Sequence, residues 1–175
     1  RPSLKPLNLG NSGTSIRLMT GLLSAQSFDS TLCGDESLSK RPMARIIDPL
    51  SEMGAIIKSS DSMPPLSISG NQKLSALKYT LPVASAQIKS CLLLAGLYAD
   101  GETCIKENAT TRDHTERMLK GFGYKVTSSS GQVSLTGGGK LQGCDIKVPS
   151  DISSAAFFIV AASIANNADI TLEAV

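Results

Sequence analysis

Residues 9–17 read Leu9-Gly10-Asn11-Ser12-Gly13-Thr14-Ser15-Ile16-Arg17 and lead into an apolar run that includes Leu18, Met19, Leu22 and Leu23. This spacing predicts a core helix whose first turn carries only small side chains. The first N–H groups of a helix lack intrahelical partners, and the helix dipole adds partial positive charge there. Small residues let an anion approach that backbone, and Arg17 adds a full charge about one turn further in. Taken alone, the stretch fits an anion site and an ordinary Ser N-cap equally well.

Composition limits the possible functions. The 175 residues are 41% apolar and 18% charged, enough for a sizeable core, and the net charge is +2. This near balance gives no support for a general nucleic-acid binder. Aromatic residues make up 4% of the chain and Trp is absent, which argues against base-stacking platforms. We therefore expect no nucleic-acid partner.

The cysteines and the hydropathy point to a cytoplasmic protein. Cys33, Cys91, Cys104 and Cys144 lie far apart, without a C-x-x-C motif, so neither a zinc site nor a disulfide framework is expected. We interpret them as buried thiols in a reducing cytoplasm. The longest apolar run, residues 91–97, is too short to span a membrane, and no signal peptide is present, so no membrane partner is expected.

Small, polar helix starts recur along the chain at a period of about 70 residues. Residues 85–87 (Ser-Ala-Gln) and 153–155 (Ser-Ser-Ala) open two more apolar helices. A predicted strand follows each of the three helices, at residues 30–33, 103–106 and 169–172. Amphipathic helices at 43–50, where Pro49 could cause a kink, and 115–120 follow the first two strands, and each ends at a glycine, Gly54 or Gly123. Hairpins then pair 55–58 with 65–69 and 124–127 with 133–136, and residues 78–81 form a leading strand.

The predicted fold is therefore α/β (α+β), built from repeated βαβαββ units around a pseudo-symmetry axis. Residues 1–149 hold two units, and residues 150–175 start a further unit. The chain begins at Arg1-Pro2 without Met and stops inside a predicted strand, so we expect a piece of a longer protein. If the apolar helices run side by side, each N-terminus favours an anion by about 0.3–1 kcal/mol. Such a cluster of helix N-termini suits a multiply charged small molecule.

Basic residues stand at both entrances to the amphipathic helices. Arg41 precedes Pro42, and Arg112 holds the equivalent place in the second unit, where either could bind a carboxylate or phosphate with two hydrogen bonds. An exposed arginine without a partner is the alternative, and Lys40 could equally be a solvated lysine. Thr111 or Asp113 could cap the second of these helices, with Glu116 completing a capping box.

Two further polar residues are candidates. Gln87 lies in the first turn of the second apolar helix, where we favour a ligand contact over an ordinary polar face, while Lys89 faces elsewhere. His114 is the only histidine. We favour a structural role, in which it holds its loop by hydrogen bonds, over general-base chemistry, because no acid or nucleophile motif stands beside it. No nucleotide-binding, zinc-protease or hydrolase motif is present, and paired carboxylates are not evident.

Four ordered motifs resemble those of the 5-enolpyruvylshikimate-3-phosphate synthase family. Residues 9–17 resemble its L-G-N-[AS]-G-T-x-x-R signature, and residues 34–43 resemble its second signature. Ser-Ala-Gln-Ile-Lys at 85–89 and Thr-Arg-Asp-His-Thr-Glu at 111–116 complete the set. The resemblance implies two domains, each with three βαβαββ units around a pseudo-threefold axis. It also implies transfer of the enolpyruvyl group of phosphoenolpyruvate to the 5-hydroxyl of shikimate 3-phosphate with release of phosphate, by a monomeric enzyme without a cofactor or metal.

The resemblance also assigns site residues. It implies that phosphoenolpyruvate is bound by Gly13, Arg41 and Gln87, and shikimate 3-phosphate by Ser85, Ala86, Gln87, Thr111 and Arg112. Supporting roles fall to Asn11, Thr14, Arg17 and His114. Many members have Ser where Ala86 stands and Tyr where His114 stands. The catalytic Asp and Glu of the family fall after Val175, so this segment is expected to bind substrates without turning them over.

Two alternatives remain open. The related UDP-N-acetylglucosamine enolpyruvyl transferase carries a reactive Cys in a mobile Gly-rich loop of this region, and no cysteine here lies in a comparable loop. A non-catalytic anion-binding module is the other alternative, because the acid–base residues are absent.

Overall fold

The computed structural model describes Ser3 and residues 5–175. Arg1-Pro2, on which part of the expectation of a longer protein depends, lies outside the described residues. The chain divides into two compact units, the first ending at Gln142 and the second comprising Gly143–Val175. In chain order the elements are β1 (Leu7–Asn8), α1 (Gly13–Leu23), β2 (Ser30–Cys33), α2 (Glu36–Ser39), α3 (Ala44–Glu52), β3 (Ile57–Ser60), β4 (Met63–Ile68), β5 (Lys78–Thr80), α4 (Ala86–Gly96), β6 (Glu102–Lys106), α5 (His114–Gly121), β7 (Val126–Ser129), β8 (Gln132–Thr136) and α6 (Ile152–Ile164).

The first compact unit contains two sheets of the same topology. Their strand orders are β1-β2-β4-β3 and β5-β6-β8-β7. In each sheet the first pair is parallel and the other two pairs are antiparallel. Gly54 and Gly123 end α3 and α5 with positive φ values of 101° and 74°. Repeated mixed α/β units are therefore confirmed.

Helices α1 and α4 pack closely side by side. A Cβ atom added to Gly21 of α1 would overlap the carbonyl oxygen of Cys91 in α4, so only glycine fits at this crossing. The two helices start in the same way, because the hydroxyls of Ser12 and Ser85 accept hydrogen bonds from the amides of Ser15 and Ile88. Their N-termini are neighbours, since the Gln87 side chain reaches Thr14.

The apolar faces of the sheets and helices form a buried core. Along β4, Leu66 and Ile68 are buried while the intervening Ser67 is exposed, as expected for a strand with one face on the core. Ile16 of α1 and Leu92 of α4 are fully buried in the same core. The helix N-termini are thus held on a rigid frame, which allows their first turns to form a site.

Several sequence-based boundaries were wrong. Residues 169–172 form no strand, and none of the described strands pairs with them, so their backbone groups lack the ladder that a strand needs. Pro49 lies inside α3 without ending it, and α3 begins at Ala44 rather than Met43. Helix α6 begins at Ile152 with Asp151 as its N-cap, not at Ser153. Within the part of the chain described, no helix combines the length and hydropathy needed to cross a membrane.

Candidate functional site

Two guanidinium groups meet beside the first residue of α1. Gly13 is buried, and a Cβ atom added to it would lie 3.0 Å from Arg17 Nη1 and 3.1 Å from Arg41 Nη1. Arg17 Nη1 donates to the Gly13 carbonyl at 3.1 Å, and Arg17 Nη2 lies 3.4 Å from the Pro42 carbonyl. The absence of a side chain at Gly13 therefore leaves room for both arginines beside the first turn of α1. We call the first turn of a helix, with the side chains around it, the mouth of that helix.

These two arginines have no acidic partner among the residues described. Every salt bridge found there involves a lysine, at Lys40 or Lys89. Burial lowers the pKa of Arg17, and the charges of Arg41 and Arg45 lower that pKa further. The mouth of α1 thus concentrates positive charge that no carboxylate of the described chain pairs with directly, which is the electrostatic setting of an anion site.

The loop between β2 and α3 orients Arg41. Its Nη1 donates to the Asn11 carbonyl at 3.3 Å, and its Nη2 donates to the Asn11 side-chain oxygen and to Ser37 Oγ. Asn11 Nδ2 in turn donates to Asp35 Oδ2 at 2.8 Å. Asp35 also caps α2 by accepting the Leu38 amide, and this hydrogen bond is the main reason that the pKa of Asp35 is lowered.

Gln87 connects the two helix mouths. Its Nε2 donates to Thr14 Oγ1 at 2.7 Å, and its Oε1 accepts from Arg17 Nη1 at 2.9 Å. The amide group is therefore fixed by α1 rather than free on the surface. A ligand that bridges the mouths of α1 and α4 would meet this amide in one defined orientation.

The structure brings six of the residues singled out from the sequence into one cluster, namely Asn11, Gly13, Thr14, Arg17, Arg41 and Gln87. Sequence reasoning missed Asp35 and Ser37 as their supports. An Asp immediately before a short Ser-containing segment is a helix N-cap signal that could have indicated Asp35. The role of the six residues as ligands remains a prediction.

The other predicted residues lie around the first turn of α4 and the β6–α5 loop. Ser85 caps α4, with its hydroxyl 3.4 Å from the Ile88 amide. Thr111 Oγ1 donates to Glu107 Oε1. Arg112 is exposed and makes no hydrogen bond within the described chain, so its guanidinium is available to solvent or to a ligand. Among the described residues, no hydrogen bond joins Ser85 to Arg112.

Two expectations about α5 were wrong. Asp113 is the N-cap residue but makes no side-chain capping bond, and Glu116 does not complete a capping box. Glu116 instead points into the core, where it pairs with the buried ammonium of Lys89 on α4. His114 is exposed, and its imidazole makes no hydrogen bond within the described residues, so it does not hold its loop in the way expected.

Lys89 forms a buried ionic cluster with two glutamates. Its side chain is 1% exposed, and Nζ lies 3.0 Å from Glu107 Oε2 and 2.7 Å from Glu116 Oε1. Burial lowers the pKa of Lys89, but hydrogen bonds to Glu116 and Glu107 outweigh it, so the pKa lies above its ordinary value and the ammonium stays charged. The prediction that Lys89 faces away from Gln87 is confirmed. Its partners were missed, although a lysine on a buried helix face is itself a signal to look for carboxylates.

The third helix mouth differs from the other two. Asp151 caps α6 by accepting the Ser153 amide, and its other oxygen accepts the Ser154 hydroxyl. The backbone amide of Ser153 at this mouth therefore already has a carboxylate partner. Among the residues described, no group of three or more His, Cys, Asp or Glu side chains is arranged to hold a metal ion.

Comparison with known proteins identifies the relatives of this chain. The model of the family "EPSP synthase (3-phosphoshikimate 1-carboxyvinyltransferase)" matches residues 2–175. A 3-phosphoshikimate 1-carboxyvinyltransferase from Vesicomyosocius okutanii is 66% identical over 172 residues, which are 98% of this chain. One from Xanthomonas campestris is 57% identical over 176 residues and covers the entire chain.

Solved structures agree with these relatives. The structure of an EPSP synthase from Acinetobacter baumannii superposes on the whole chain with a TM-score of 0.87 at 58% sequence identity. The chain spans 40% of the length of that structure and 40% of the length of the two curated relatives.

Proposed function

We propose, since this chain belongs to the EPSP synthase family, that it supplies binding sites for phosphoenolpyruvate and shikimate 3-phosphate to a longer enzyme. That enzyme transfers the enolpyruvyl group to the 5-hydroxyl of shikimate 3-phosphate and releases phosphate. Support comes from relatives that carry the name 3-phosphoshikimate 1-carboxyvinyltransferase at 66% and 57% identity. The chain spans 40% of their length, and in our proposal the activity also requires residues outside this segment.

The observation that carries the proposal is the pair of guanidiniums at the mouth of α1. Phosphoenolpyruvate bears a carboxylate and a phosphate, and Arg17 and Arg41 lie close enough together to serve one molecule with two such anionic groups. Gly13 lets the ligand approach the free backbone amides, while Arg41 forms charge-assisted hydrogen bonds to it. Gln87, held by Thr14 and Arg17, offers its amide group to both substrates.

The mouth of α4 suits the phosphate of shikimate 3-phosphate. Ser85 and the backbone at Ala86 open that helix, and Thr111 and Arg112 lie on the loop that α4 anchors through Lys89. These residues bind and orient the two substrates in our proposal, and none of them moves a proton. We assign no catalytic acid or base within the segment.

We further propose that the longer enzyme is a cytoplasmic monomer whose partners are these two small molecules and not nucleic acid. The small net charge of +2 and the four free cysteines support this setting, although the expectation of four buried thiols was wrong, because only Cys91 is buried and Cys144 is exposed. Light scattering of the purified enzyme should give the mass of one chain, and a dimer mass would contradict the monomer.

The experiment uses the full-length enzyme, by which we mean the natural protein that carries this segment or a chimera. In the chimera these 175 residues replace the matching segment of the Xanthomonas campestris relative. We expect phosphate release from phosphoenolpyruvate only when shikimate 3-phosphate is added, with the unmodified relative as the positive control. Activity with UDP-N-acetylglucosamine instead would support the related transferase. Binding of shikimate 3-phosphate without turnover would support a non-catalytic module.

A further inference from the structure

The buried ionic cluster has no counterpart in the first repeat. Lys89 and Ile16 each lie four residues after the serine N-cap of their helix, and both side chains are buried. Glu116 and Ile47 each lie seven residues before the glycine that ends their helix. The second repeat therefore has an ion pair where the first repeat has two isoleucines.

The contrast between the two repeats indicates that a repeat can fold without the charged cluster. Burying charges is costly unless their hydrogen bonds are well satisfied, and apolar side chains at such positions are often equally stable or more stable. The first repeat forms the same sheet order with the isoleucines, although its loop between β2 and α3 also carries the short helix α2, which the second repeat lacks. The fold of a repeat does not require charge at the positions of Lys89 and Glu116. We therefore infer that the cluster in the second repeat serves a purpose other than folding.

The cluster holds both ends of one loop. Glu107 immediately follows β6, and Glu116 lies in the first turn of α5, so Lys89 ties the start and the end of the β6–α5 loop to α4. The free oxygen of the Glu107 carboxylate accepts the hydroxyl of Thr111 within that loop. Lys89 lies one turn below Ser85, so the loop is fixed against the helix mouth that carries Ser85 and Gln87.

We propose that Lys89, Glu107 and Glu116 are positioning residues for the phosphomonoester group of the acceptor substrate, acting through Thr111 and Arg112. This inference rests on the proposed function. Arg112 has no hydrogen bond of its own in the described chain. Its place relative to the mouth of α4 therefore depends on the loop, and the loop depends on Lys89. The cluster makes no ion pair or hydrogen bond to Gly13, Arg17 or Arg41. Gln87, which serves both substrates in our proposal, is held by Thr14 and Arg17 of α1, so we expect phosphoenolpyruvate binding to be independent of the cluster.

The test removes the charges of the cluster and places isoleucine at two of its positions, as in the first repeat. In the full-length enzyme, Lys89→Ile and Glu116→Ile are combined with Glu107→Gln, so that no buried charge is left unpaired. We expect the KM for shikimate 3-phosphate to rise about tenfold to a hundredfold, because small displacements of binding groups have effects of this size. The KM for phosphoenolpyruvate should stay within about twofold, and cooperative thermal unfolding should be retained.

Two further variants complete the experiment. Lys89→Arg keeps a cation that can donate to both glutamates and should retain most of the affinity for shikimate 3-phosphate. Ser90→Ala with Thr115→Val removes the neighbouring hydrogen bond between α4 and α5 without touching the loop anchors, and should leave both KM values unchanged.

Three results would overturn the proposal: an unchanged KM for shikimate 3-phosphate in the folded triple variant, an equal rise in both KM values, or loss of cooperative unfolding, which would assign the cluster to the fold. The unmodified enzyme is measured first. If it fails to turn over the two substrates, the proposed function fails; if it is active and the triple variant behaves like it, only this inference fails.

Discussion

At the scale of single residues, Gly13 carries the most specific part of the phosphoenolpyruvate site that we propose. A Cβ atom there would lie 3.0 Å and 3.1 Å from the two guanidiniums, which is tight enough that the arginines must move. We predict that Gly13→Ala raises the KM for phosphoenolpyruvate about tenfold, since the ligand and the arginines compete with the methyl group for the same space. Steady-state kinetics with each substrate varied in turn measures this effect.

Gly121→Ala is the matched control for Gly13→Ala, because a Cβ atom at Gly121 meets nothing within 4 Å. It should leave both KM values unchanged. An equal effect of the two substitutions, or no effect of Gly13→Ala on phosphoenolpyruvate, would show that the mouth of α1 is not the site.

Arg112 is the residue on which we expect shikimate 3-phosphate binding to depend most. Charge-assisted hydrogen bonds contribute about 1.5–3 kcal/mol, so Arg112→Ala should weaken binding about tenfold to a hundredfold. Calorimetric titration of the full-length enzyme with shikimate 3-phosphate measures the loss. Arg117→Ala, another exposed arginine one turn into α5, should bind normally. Equal losses in both variants would indicate a general charge effect instead of a contact.

Cys91 is a structural thiol at the crossing of α1 and α4. Burial raises the pKa of Cys91 to about 12, so the thiol is protonated at neutral pH and unreactive. We predict that iodoacetamide at pH 8 modifies Cys91 only after the protein is unfolded, as measured by mass spectrometry of its peptide. Rapid modification in the native enzyme would contradict the packing described here.

At the scale of elements, the contact between α1 and α4 sets the geometry of the site. Gly21→Ala would force the helices apart, because the added methyl overlaps the backbone of Cys91. We predict a loss of at least about 2 kcal/mol in the free energy of unfolding, as expected for overpacking against a backbone. Chemical denaturation measures it. Gly121→Ala, which meets open space, should not destabilise, and a similar loss in both variants would contradict the account.

Local signals explain which elements could be predicted from the sequence. Serines before small residues indicated the starts of α1 and α4, and Gly54 and Gly123 indicated the ends of α3 and α5, because caps and left-handed stops depend on neighbouring residues. The prediction of a strand at 169–172 was wrong, because strand formation depends on a pairing partner that the local pattern cannot reveal. Glu116 was assigned to a cap for the same kind of reason, since its actual partner, Lys89, lies on another helix.

At the scale of the whole molecule, the sequence predicted the residues of the site better than their supports. The motif residues Gly13, Gln87 and Arg41 come together as the repeat implied, because equivalent helices share one end of the unit. Asp35 and the Lys89 cluster could not be found in this way, since their roles depend on contacts between segments far apart in the chain. The chain spans 40% of the length of its relatives, and we propose both that it holds substrate-binding groups and that the catalytic groups lie elsewhere in the enzyme.

The mouth of α1, with Gly13, Arg17 and Arg41, is where we expect phosphoenolpyruvate to bind. A crystal structure of the full-length enzyme with shikimate 3-phosphate and an unreactive phosphoenolpyruvate analogue tests it most directly. We predict an anionic oxygen of the analogue within hydrogen-bond distance of both the Gly13 amide and the Arg41 guanidinium. An analogue bound elsewhere, with both arginines paired to carboxylates of the protein, would contradict it.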